Sequence, residues 1–220
     1  MTRALRLAHR GDWRAGPENS LAAMEAALRN PACDGLEFDV RGSLDGIPML
    51  LHDETLARVQ GRPERPGELT AEQLEALGIP RLEAVLAAAG PGPFLDVELK
   101  GDRLPAVLPV LEAARGQHLE RTIVSSFEAD TLAWIGRLRP AWQRWFNAED
   151  LEPATVALAR DLGCRGVSID WRSITVAGMT RARTAGLDVA AWTVRRRATA
   201  ARLEHLGVMA LCVEAAALDG

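Results

Sequence analysis

Lysine is nearly absent from this sequence of 220 residues. Of its 26 basic side chains, Lys100 is one lysine and the other 25 are arginines, and there is no tyrosine. The three cysteines, Cys33, Cys164 and Cys212, are odd in number and contain no C-x-x-C pair. This argues against a disulfide framework or a zinc knuckle and favours a reducing compartment.

Excess positive charge and long apolar runs are also lacking. The net charge is −4, and a nucleic-acid binder would need a basic stripe to neutralise phosphates. The one arginine run, Arg195 to Arg197, is short and is interpreted as the solvated start of a helix. No stretch approaches the roughly 18 to 20 apolar residues of a membrane span, and residues 1–10 lack the apolar region of a signal peptide. We expect a cytoplasmic protein with no integral membrane segment and no nucleic-acid partner, and its oligomeric state stays open.

Apolar runs of strand length recur along the chain, each followed by a turn signal and a stretch with helical spacing. The predicted strands are Leu5 to Ala8, Gly35 to Val40, Phe94 to Leu99, Thr122 to Ser125, Arg144 to Phe146, Gly166 to Ile169, Asp188 to Val194 and Met209 to Val213. The predicted helices are Ser20 to Arg29, Ala71 to Leu77, Leu82 to Ala89, Leu104 to Arg115, Ala129 to Leu138, Pro153 to Leu162, Val176 to Ala185 and Thr199 to His205. Eight such units predict an α/β fold, a parallel (β/α)8 TIM barrel, with an open doubly wound sheet as the competitor. No linker divides the chain, so residues 1–220 are expected to form a single domain.

Two predicted strands carry charges at alternate positions. Glu37 and Asp39 lie in one strand, and Asp96 and Glu98 lie in the next, directly before Lys100. Because residues i and i+2 of a strand face the same side, these side chains project together. Burying like charges without partners costs several kcal/mol, which a bound cation would relieve. Oxygen ligands suit Mg²⁺ or Ca²⁺, and an internal network paired with arginine is the alternative.

Two histidines follow apolar strand-like runs. His9 and His52 are therefore expected at the barrel mouth, where barrel enzymes carry their chemistry. A side chain with a pKa near 6.5 can act as acid or base at neutral pH. His118 and His205 fall in polar helical or connecting stretches and are interpreted as surface residues.

Two basic residues would add positive charge at the same mouth. Arg10 and Lys100, together with a cation, predict an anionic substrate, above all a phosphate. Since arginine stands at every other basic position, Lys100 is interpreted as a site that needs a compact ammonium rather than a forked guanidinium. Chance retention of a last lysine is the alternative.

Several short motifs stand in a fixed order along the chain. They are His9-Arg10-Gly11, Pro17-Glu18-Asn19-Ser20, Glu37-Phe38-Asp39-Val40, Asp45-Gly46, His52-Asp53, Ile79-Pro80-Arg81-Leu82-Glu83, Glu98-Leu99-Lys100, Ser125-Ser126-Phe127 and Trp192-Thr193-Val194. In this order and spacing the chain resembles the glycerophosphodiester phosphodiesterase family. The resemblance covers essentially the whole chain, with the most specific motifs in residues 8–100.

The resemblance implies a (β/α)8 barrel that hydrolyses small-molecule phosphodiesters with one divalent cation. One histidine of an acid–base pair would deprotonate the glycerol 2-hydroxyl, which attacks phosphorus, while the other protonates the departing alcohol. Water then opens the cyclic phosphate, and the charge on phosphorus is neutralised by the cation. The implied roles are metal ligands for Glu37, Asp39 and Glu98, the acid–base pair for His9 and His52, and phosphate contacts for Arg10 and Lys100.

Two positions depart from the family's pattern. Arg195 stands where the family often has asparagine, and Val213-Glu214 replaces the usual Thr-Asp at the end of the last strand. We therefore expect this strand end to be less well formed. Residues 45–93 leave little room for the larger capping insertion of some members, so the mouth is expected to be open.

Three further residues have two interpretations each. Trp171 and Trp192, both at strand ends, either line the mouth against the substrate or pack in the core. Asn19 precedes a helix, where asparagine commonly caps the first turn, and capping is the favoured interpretation.

Three functions compete. The first is a metal-dependent hydrolase that cleaves glycerophosphodiesters to glycerol 3-phosphate and an alcohol, with a lysophospholipase D-like activity on larger lipids as a variant. The second is a non-catalytic barrel that binds phosphate esters, which would have lost part of the residue set. The third is a Mg²⁺-dependent aldolase or isomerase with Lys100 as Schiff base, which the neighbouring carboxylates disfavour because they hold the amine protonated.

Overall fold

The chain folds into a closed parallel barrel surrounded by helices. The computed structural model describes residues 3–101, 103–116, 119 and 121–220, so the expectation for His118 lies outside the described residues. The strands are β1 (Leu5–His9), β2 (Gly35–Gly42), β3 (Pro48–Leu50), β4 (Phe94–Leu99), β5 (Thr122–Ser126), β6 (Arg144–Ala148), β7 (Gly166–Asp170), β8 (Asp188–Val194) and β9 (Ala210–Val213). Neighbouring barrel strands follow the order β1, β9, β8, β7, β6, β5, β4, β2, and β2 returns to β1. The (β/α)8 barrel is confirmed, and the open sheet is excluded because β1 pairs with both β2 and β9.

The inward face of the strands changes from apolar to polar along their length. Side chains near the strand starts form one buried cluster, which comprises Leu7, Phe94, Ile123, Trp145, Ala190 and Ala210. Two residues later on the same faces come His9, Asp96 and Asn147, which line a cavity. Since side chains at i and i+2 share a face, the cluster forms the floor beneath a polar mouth.

Helices follow the strands and cover the outside of the barrel. They are α1 (Leu21–Arg29), α2 (Ala57–Gln60), α3 (Ala71–Glu75), α4 (Leu82–Ala89), α5 (Val107–Arg115), α6 (Ala129–Leu138), α7 (Pro153–Asp161), α8 (Val176–Thr184) and α9 (Arg197–Leu206). As expected, the arginine run leads into α9, with Arg196 at its N-cap, and His205 is exposed. Among the residues with described coordinates, no helix is long and apolar enough to cross a membrane.

The cap of α1 differs from the expectation for Asn19. Ser20 is the N-cap, and its hydroxyl accepts a hydrogen bond from the Ala23 amide. Asn19 has a left-handed φ of 58°, is buried, and donates from Nδ2 to Asp39 Oδ2 at 2.9 Å. The capping interpretation was wrong because the asparagine amide is engaged with a carboxylate of the mouth.

A hairpin and a short helix were not predicted. β3 pairs antiparallel with the end of β2, and it packs with α3 over a small second core that contains Met49, Leu51, Leu56, Leu74 and Ile79. α2 has four residues, too few to show a helical period. This unit precedes α4 and places His52 two residues after the end of β3.

The end of the last strand is ordered. The pairing of β8 with β9 shifts register between Ala191 and Val194, but the Glu214 amide still donates to the Val194 carbonyl at 3.0 Å. The irregular pairing agrees with the expectation of a less well formed strand end. Glu214 itself is nevertheless fixed by its backbone and, as described below, by its carboxylate.

Candidate active site

Four carboxylates from β2 and β4 lie together inside the barrel. The strand register places Glu37 beside Asp96 and Asp39 beside Glu98, and all four are buried. Ligand oxygens of Glu37, Asp39 and Glu98 lie within 4.8 Å of one another. The alternation in the sequence therefore correctly predicted a shared face, and these three residues form a group that could hold a metal ion.

The crowding of these acids shifts their pKa values apart. Burial, followed by the charges of Asp39 and Glu98, raises the pKa of Glu37 well above its usual range. Burial also raises the pKa of Asp96 to about 7, and burial with the charge of Asp39 raises that of Glu98 to about 7. Burial opposes ionisation of Asp39 as well, but the charges of Lys100 and Arg10 lower its pKa to about 2. One firmly ionised carboxylate thus sits among three that resist ionisation.

The donor set fits a hard cation. Glu37 Oε2 is buried and accepts no hydrogen bond from any residue that the structure describes. An ionised oxygen in that position costs free energy unless a positive charge lies beside it. A cation bound by Glu37, Asp39 and Glu98 would supply this charge and favour ionisation of all three.

Lys100 and Arg10 approach Asp39 from two sides. Lys100 Nζ lies 2.5 Å from Glu98 Oε1 and 3.2 Å from Asp39 Oδ1. Arg10 Nε lies 3.0 Å from Asp39 Oδ2, and Arg10 has a left-handed φ of 57°. Burial opposes the charge of Lys100, but Asp39 and Glu98 raise the pKa of its ammonium. The lone lysine is therefore held protonated, which agrees with the argument against a Schiff base.

His9 is oriented by the last barrel strand. Its Nδ1 lies 2.5 Å from Glu214 Oε1, and Arg195 Nε donates to the other oxygen, Glu214 Oε2, at 2.6 Å. Burial opposes ionisation of Glu214, but the hydrogen bonds from His9 and Arg195 lower the pKa of its carboxyl. An ionised Glu214 accepts a hydrogen bond from Nδ1–H of a neutral His9, so the unprotonated Nε2 faces the acids, 3.8 Å from Glu37 Oε2. The two departures from the family's pattern thus bind each other.

His52 is held in the same way by a neighbouring carboxylate. Its Nδ1 lies 2.7 Å from Asp53 Oδ1, and Arg58 donates to both Asp53 and Glu18. Glu18 in turn accepts from Arg10 at 2.9 Å. A continuous chain of ion pairs therefore links the second histidine to Arg10, and burial lowers the pKa values of both histidines.

These groups surround a cavity of about 160 Å³ at the carboxyl ends of the strands. Trp192 lines it, and Phe127 packs edge-on against Trp192 at 5.7 Å between ring centroids. Trp171 is not among the lining residues and packs on the core between Arg172 and Arg202, so of the two tryptophans only Trp192 lines the mouth. The lining residues are His9, Arg10, Glu37, His52, Asp96, Glu98, Lys100, Phe127, Asn147, Ser168, Trp192, Thr193 and Cys212.

Sequence reasoning missed three contributors to this site. Glu214 was noted only as a departure, Arg58 lies on the unpredicted α2, and Asn147 is a lone polar residue after an apolar strand run. Asp53 had a local signal, because it follows His52 directly. Glu214, Arg58 and Asn147 carry no such signal. They lie in the site only because the barrel closes or because the hairpin unit folds against it.

Known proteins are similar in sequence to part of this chain. It is 32% identical over 122 residues to "Glycerophosphodiester phosphodiesterase 1" of Homo sapiens, and the match covers 56% of this chain but 32% of that protein. It is 31% identical over 156 residues to "Glycerophosphodiester phosphodiesterase" of Caldanaerobacter subterraneus, with 63% of this chain and 64% of that protein covered. This chain therefore spans less than two thirds of the length of both relatives.

The fold comparison covers nearly the whole chain. A phosphodiesterase of Oleispira antarctica, solved in complex with the product sn-glycerol-3-phosphate, superimposes with a TM-score of 0.87 at 25% identity, covering 96% of this chain and 93% of that one. The sequence model of the "Glycerophosphoryl diester phosphodiesterase family" matches residues 9–218. This range contains every residue of the site described above, and the chain belongs to that family.

Proposed function

We propose that this protein hydrolyses glycerophosphodiesters to glycerol 3-phosphate and an alcohol, with one divalent cation, Mg²⁺ or Ca²⁺. The observation that carries the proposal is the pair of histidines that line the cavity, each with its Nδ1 hydrogen-bonded to a carboxylate. The acid cluster comprises Glu37, Asp39, Asp96 and Glu98, and all of these but Asp39 line the same cavity, as do two basic side chains, those of Arg10 and Lys100. Phosphoryl transfer needs proton transfer at oxygen and neutralisation of charge on phosphorus, and this arrangement offers both. Family membership and the product bound by the Oleispira antarctica phosphodiesterase support the substrate class.

The proposed ligands of the cation are Glu37, Asp39 and Glu98. Their oxygen-only set favours Mg²⁺ or Ca²⁺ over metals that prefer sulfur or nitrogen. When bound, the cation neutralises charge that develops on the phosphoryl oxygens.

Arg10 and Lys100 are the proposed phosphate contacts. Each pairs with Asp39, and both line the cavity. Fixed donors of this kind stabilise a phosphoryl anion without the cost of reorganising solvent. Trp192 forms part of the wall on which the organic portion of the substrate would rest.

His9 and His52 are the proposed acid–base pair. One histidine accepts the proton of the glycerol 2-hydroxyl, whose oxygen forms the new bond to phosphorus, and the other protonates the alcohol oxygen as its bond to phosphorus breaks. Water then opens the cyclic phosphate, and the two histidines exchange roles. A bound phosphodiester anion would raise the pKa of the adjacent histidine and so offset the lowering caused by burial.

The test is choline release from glycerophosphocholine with added Mg²⁺ or Ca²⁺. We expect turnover by the wild type and its loss in His9→Ala and His52→Ala, each with the wild-type thermal unfolding curve. His205→Ala is the matched control, because this histidine is exposed and lies on α9. A panel of glycerophosphodiesters and lysophospholipids then separates the main activity from the lysophospholipase D-like variant.

Two outcomes contradict the proposal. Unchanged turnover in both histidine variants would remove them from the reaction. Tight binding of glycerophosphodiesters by a wild type that hydrolyses none of the panel would instead identify a non-catalytic, phosphate-ester-binding barrel.

A further inference from the structure

One buried amide in the cavity has no partner. Asn147 lies near the end of β6 and is 4% exposed, and its Oδ1 accepts no hydrogen bond from any residue in the described part of the chain. Ser168 stands beside it in the register of β6 and β7, and both side chains line the cavity. The floor beneath them is apolar and includes Trp145, two residues before Asn147. A polar pair therefore stands directly above an apolar floor.

An unpaired amide in such a place is costly. Leaving a buried polar group without a hydrogen bond destabilises a protein by about 1–3 kcal/mol. The other two asparagines of the chain are both engaged, since Asn19 bonds Asp39 and Asn30 accepts from the amide of Ala32. The amide of Asn147 faces a cavity instead, where a ligand can supply the missing partner.

The position of β6 shows which part of a ligand would reach it. Four pairing steps separate β6 from β1 in either direction round the barrel, so Asn147 stands across the cavity from His9 and Arg10, and β4 with Glu98 lies halfway between them. A phosphate held by Arg10, after β1, and by Lys100, after β4, would lie on the side of the cavity away from β6. The substrate's organic portion then occupies the space between the phosphate and Asn147.

In-line displacement decides which organic portion this is. The attacking and leaving oxygens stand on opposite sides of phosphorus. The departing alcohol varies among glycerophosphodiesters and needs room towards solvent, on the side where Phe127 of the lining is 40% exposed, so the attacking glycerol would lie on the inner side, towards Asn147 and Ser168. With its 2-hydroxyl at phosphorus and one terminal carbon esterified, glycerol has one further polar group, its free terminal hydroxyl.

We propose that Asn147, supported by Ser168, forms a subsite for this terminal hydroxyl of the glycerol moiety. The inference rests on the proposed function and adds a specificity determinant to it. Sites built to hydrogen-bond a hydroxyl reject analogues that lack it, because their own polar groups are then left buried and unpaired. Esterification of this hydroxyl, as in a lysophospholipid, removes the donor, so the subsite selects deacylated substrates.

The experiment compares two substrates that share a leaving group and carry the attacking hydroxyl on the carbon next to the esterified one. Glycerophosphocholine carries the hydroxymethyl arm, and 2-hydroxyethyl phosphocholine lacks it, so choline release reports on both. The wild type should prefer glycerophosphocholine in kcat/KM by about 10- to 100-fold. In Asn147→Leu and in the smaller Asn147→Ala, the preference should fall to within about threefold through a loss confined to glycerophosphocholine. Asn30→Ala, the same change at the far end of α1, should keep the wild-type preference.

Each other result has a defined meaning. A wild type that cleaves both substrates equally well overturns the subsite without any variant, and so does an equal loss on both substrates in the Asn147 variants. A wild type that releases choline from neither substrate contradicts the proposed function itself.

Discussion

Replacing Glu214 by glutamine tests whether the last strand sets the reactivity of His9. The change keeps the size of the side chain but removes the charge that accepts from both His9 Nδ1 and Arg195 Nε. Hydrogen bonds to charged groups contribute about 1.5–3 kcal/mol. If this stabilisation is needed in the transition state, kcat/KM for glycerophosphocholine should fall about 10- to 150-fold in Glu214→Gln.

The neighbouring arginine should matter much less. The side chain of Arg195 is 63% exposed, and exposed ion pairs contribute at most about 1 kcal/mol. Arg195→Ala should therefore lower kcat/KM by no more than about fivefold. Asp219→Asn is the matched control, since this carboxylate pairs with Arg14 on the surface.

Two measurements separate orientation of His9 from general damage. Calorimetric titration of Glu214→Gln with Mg²⁺ should give the wild-type affinity, because Glu214 is not among the proposed ligands, and thermal unfolding should show an intact fold. If Glu214→Gln retains kcat/KM within about threefold of the wild type, the carboxylate does not act through His9. A parallel loss of cation affinity would show that Glu214 also affects cation binding, and would refute a role confined to orienting His9.

Three further predictions concern the cation, the lone lysine and the ion-pair chain. Excess EDTA should stop choline release, and added Mg²⁺ or Ca²⁺ should restore it. Full activity of the metal-free protein would show that the reaction needs no cation. Lys100→Arg should lower kcat/KM by about 10- to 100-fold, because a planar fork replaces a compact charge between two carboxylates, and near-normal kinetics would make the lone lysine an accident. Burial opposes ionisation of Glu18, but Arg58 lowers the pKa of this carboxyl, so the contribution of the pair is complete above about pH 4.3 and disappears as the pH falls. In Arg58→Met, Tm should drop by up to about 4 °C at about pH 7 and by progressively less as the pH falls below about 4, and a drop that does not change with pH would contradict the electrostatic explanation.

The barrel could be predicted because most of its strands show a local sequence pattern. Runs such as Gly35 to Val40 alternate apolar and charged residues with the period of a strand, and the observed β2 contains the whole run. β3 has three residues and α2 has four, which is too short for a period to show. A turn signal was nevertheless present, since Asp45-Gly46 joins β2 to β3 and such dipeptides are typical of hairpins.

The acid cluster could be predicted for the same reason, and the orientation of the histidines could not. Spacing along one strand fixes which carboxylates share a face, whatever the rest of the chain does. The partner of His9 is 205 positions away and meets it only because β1 pairs with β9. Asn19 was misassigned because its cap position is a local pattern, whereas its contact with Asp39 arises in three dimensions.

The carboxylate cluster and the orientation of His9 depend on different parts of the barrel, because His9 and Glu214 are far apart along the chain. The three proposed ligand residues need only the neighbouring strands β2 and β4 to pair. The bond from His9 to Glu214 joins the first barrel strand to the residue after the last one, and contacts across so long a loop carry the largest closure entropy. A chain with an open barrel would keep the carboxylates together and leave His9 unoriented. Under the proposed function, hydrolysis would require a complete ring of strands, whereas binding of a cation would require only the pairing of β2 with β4.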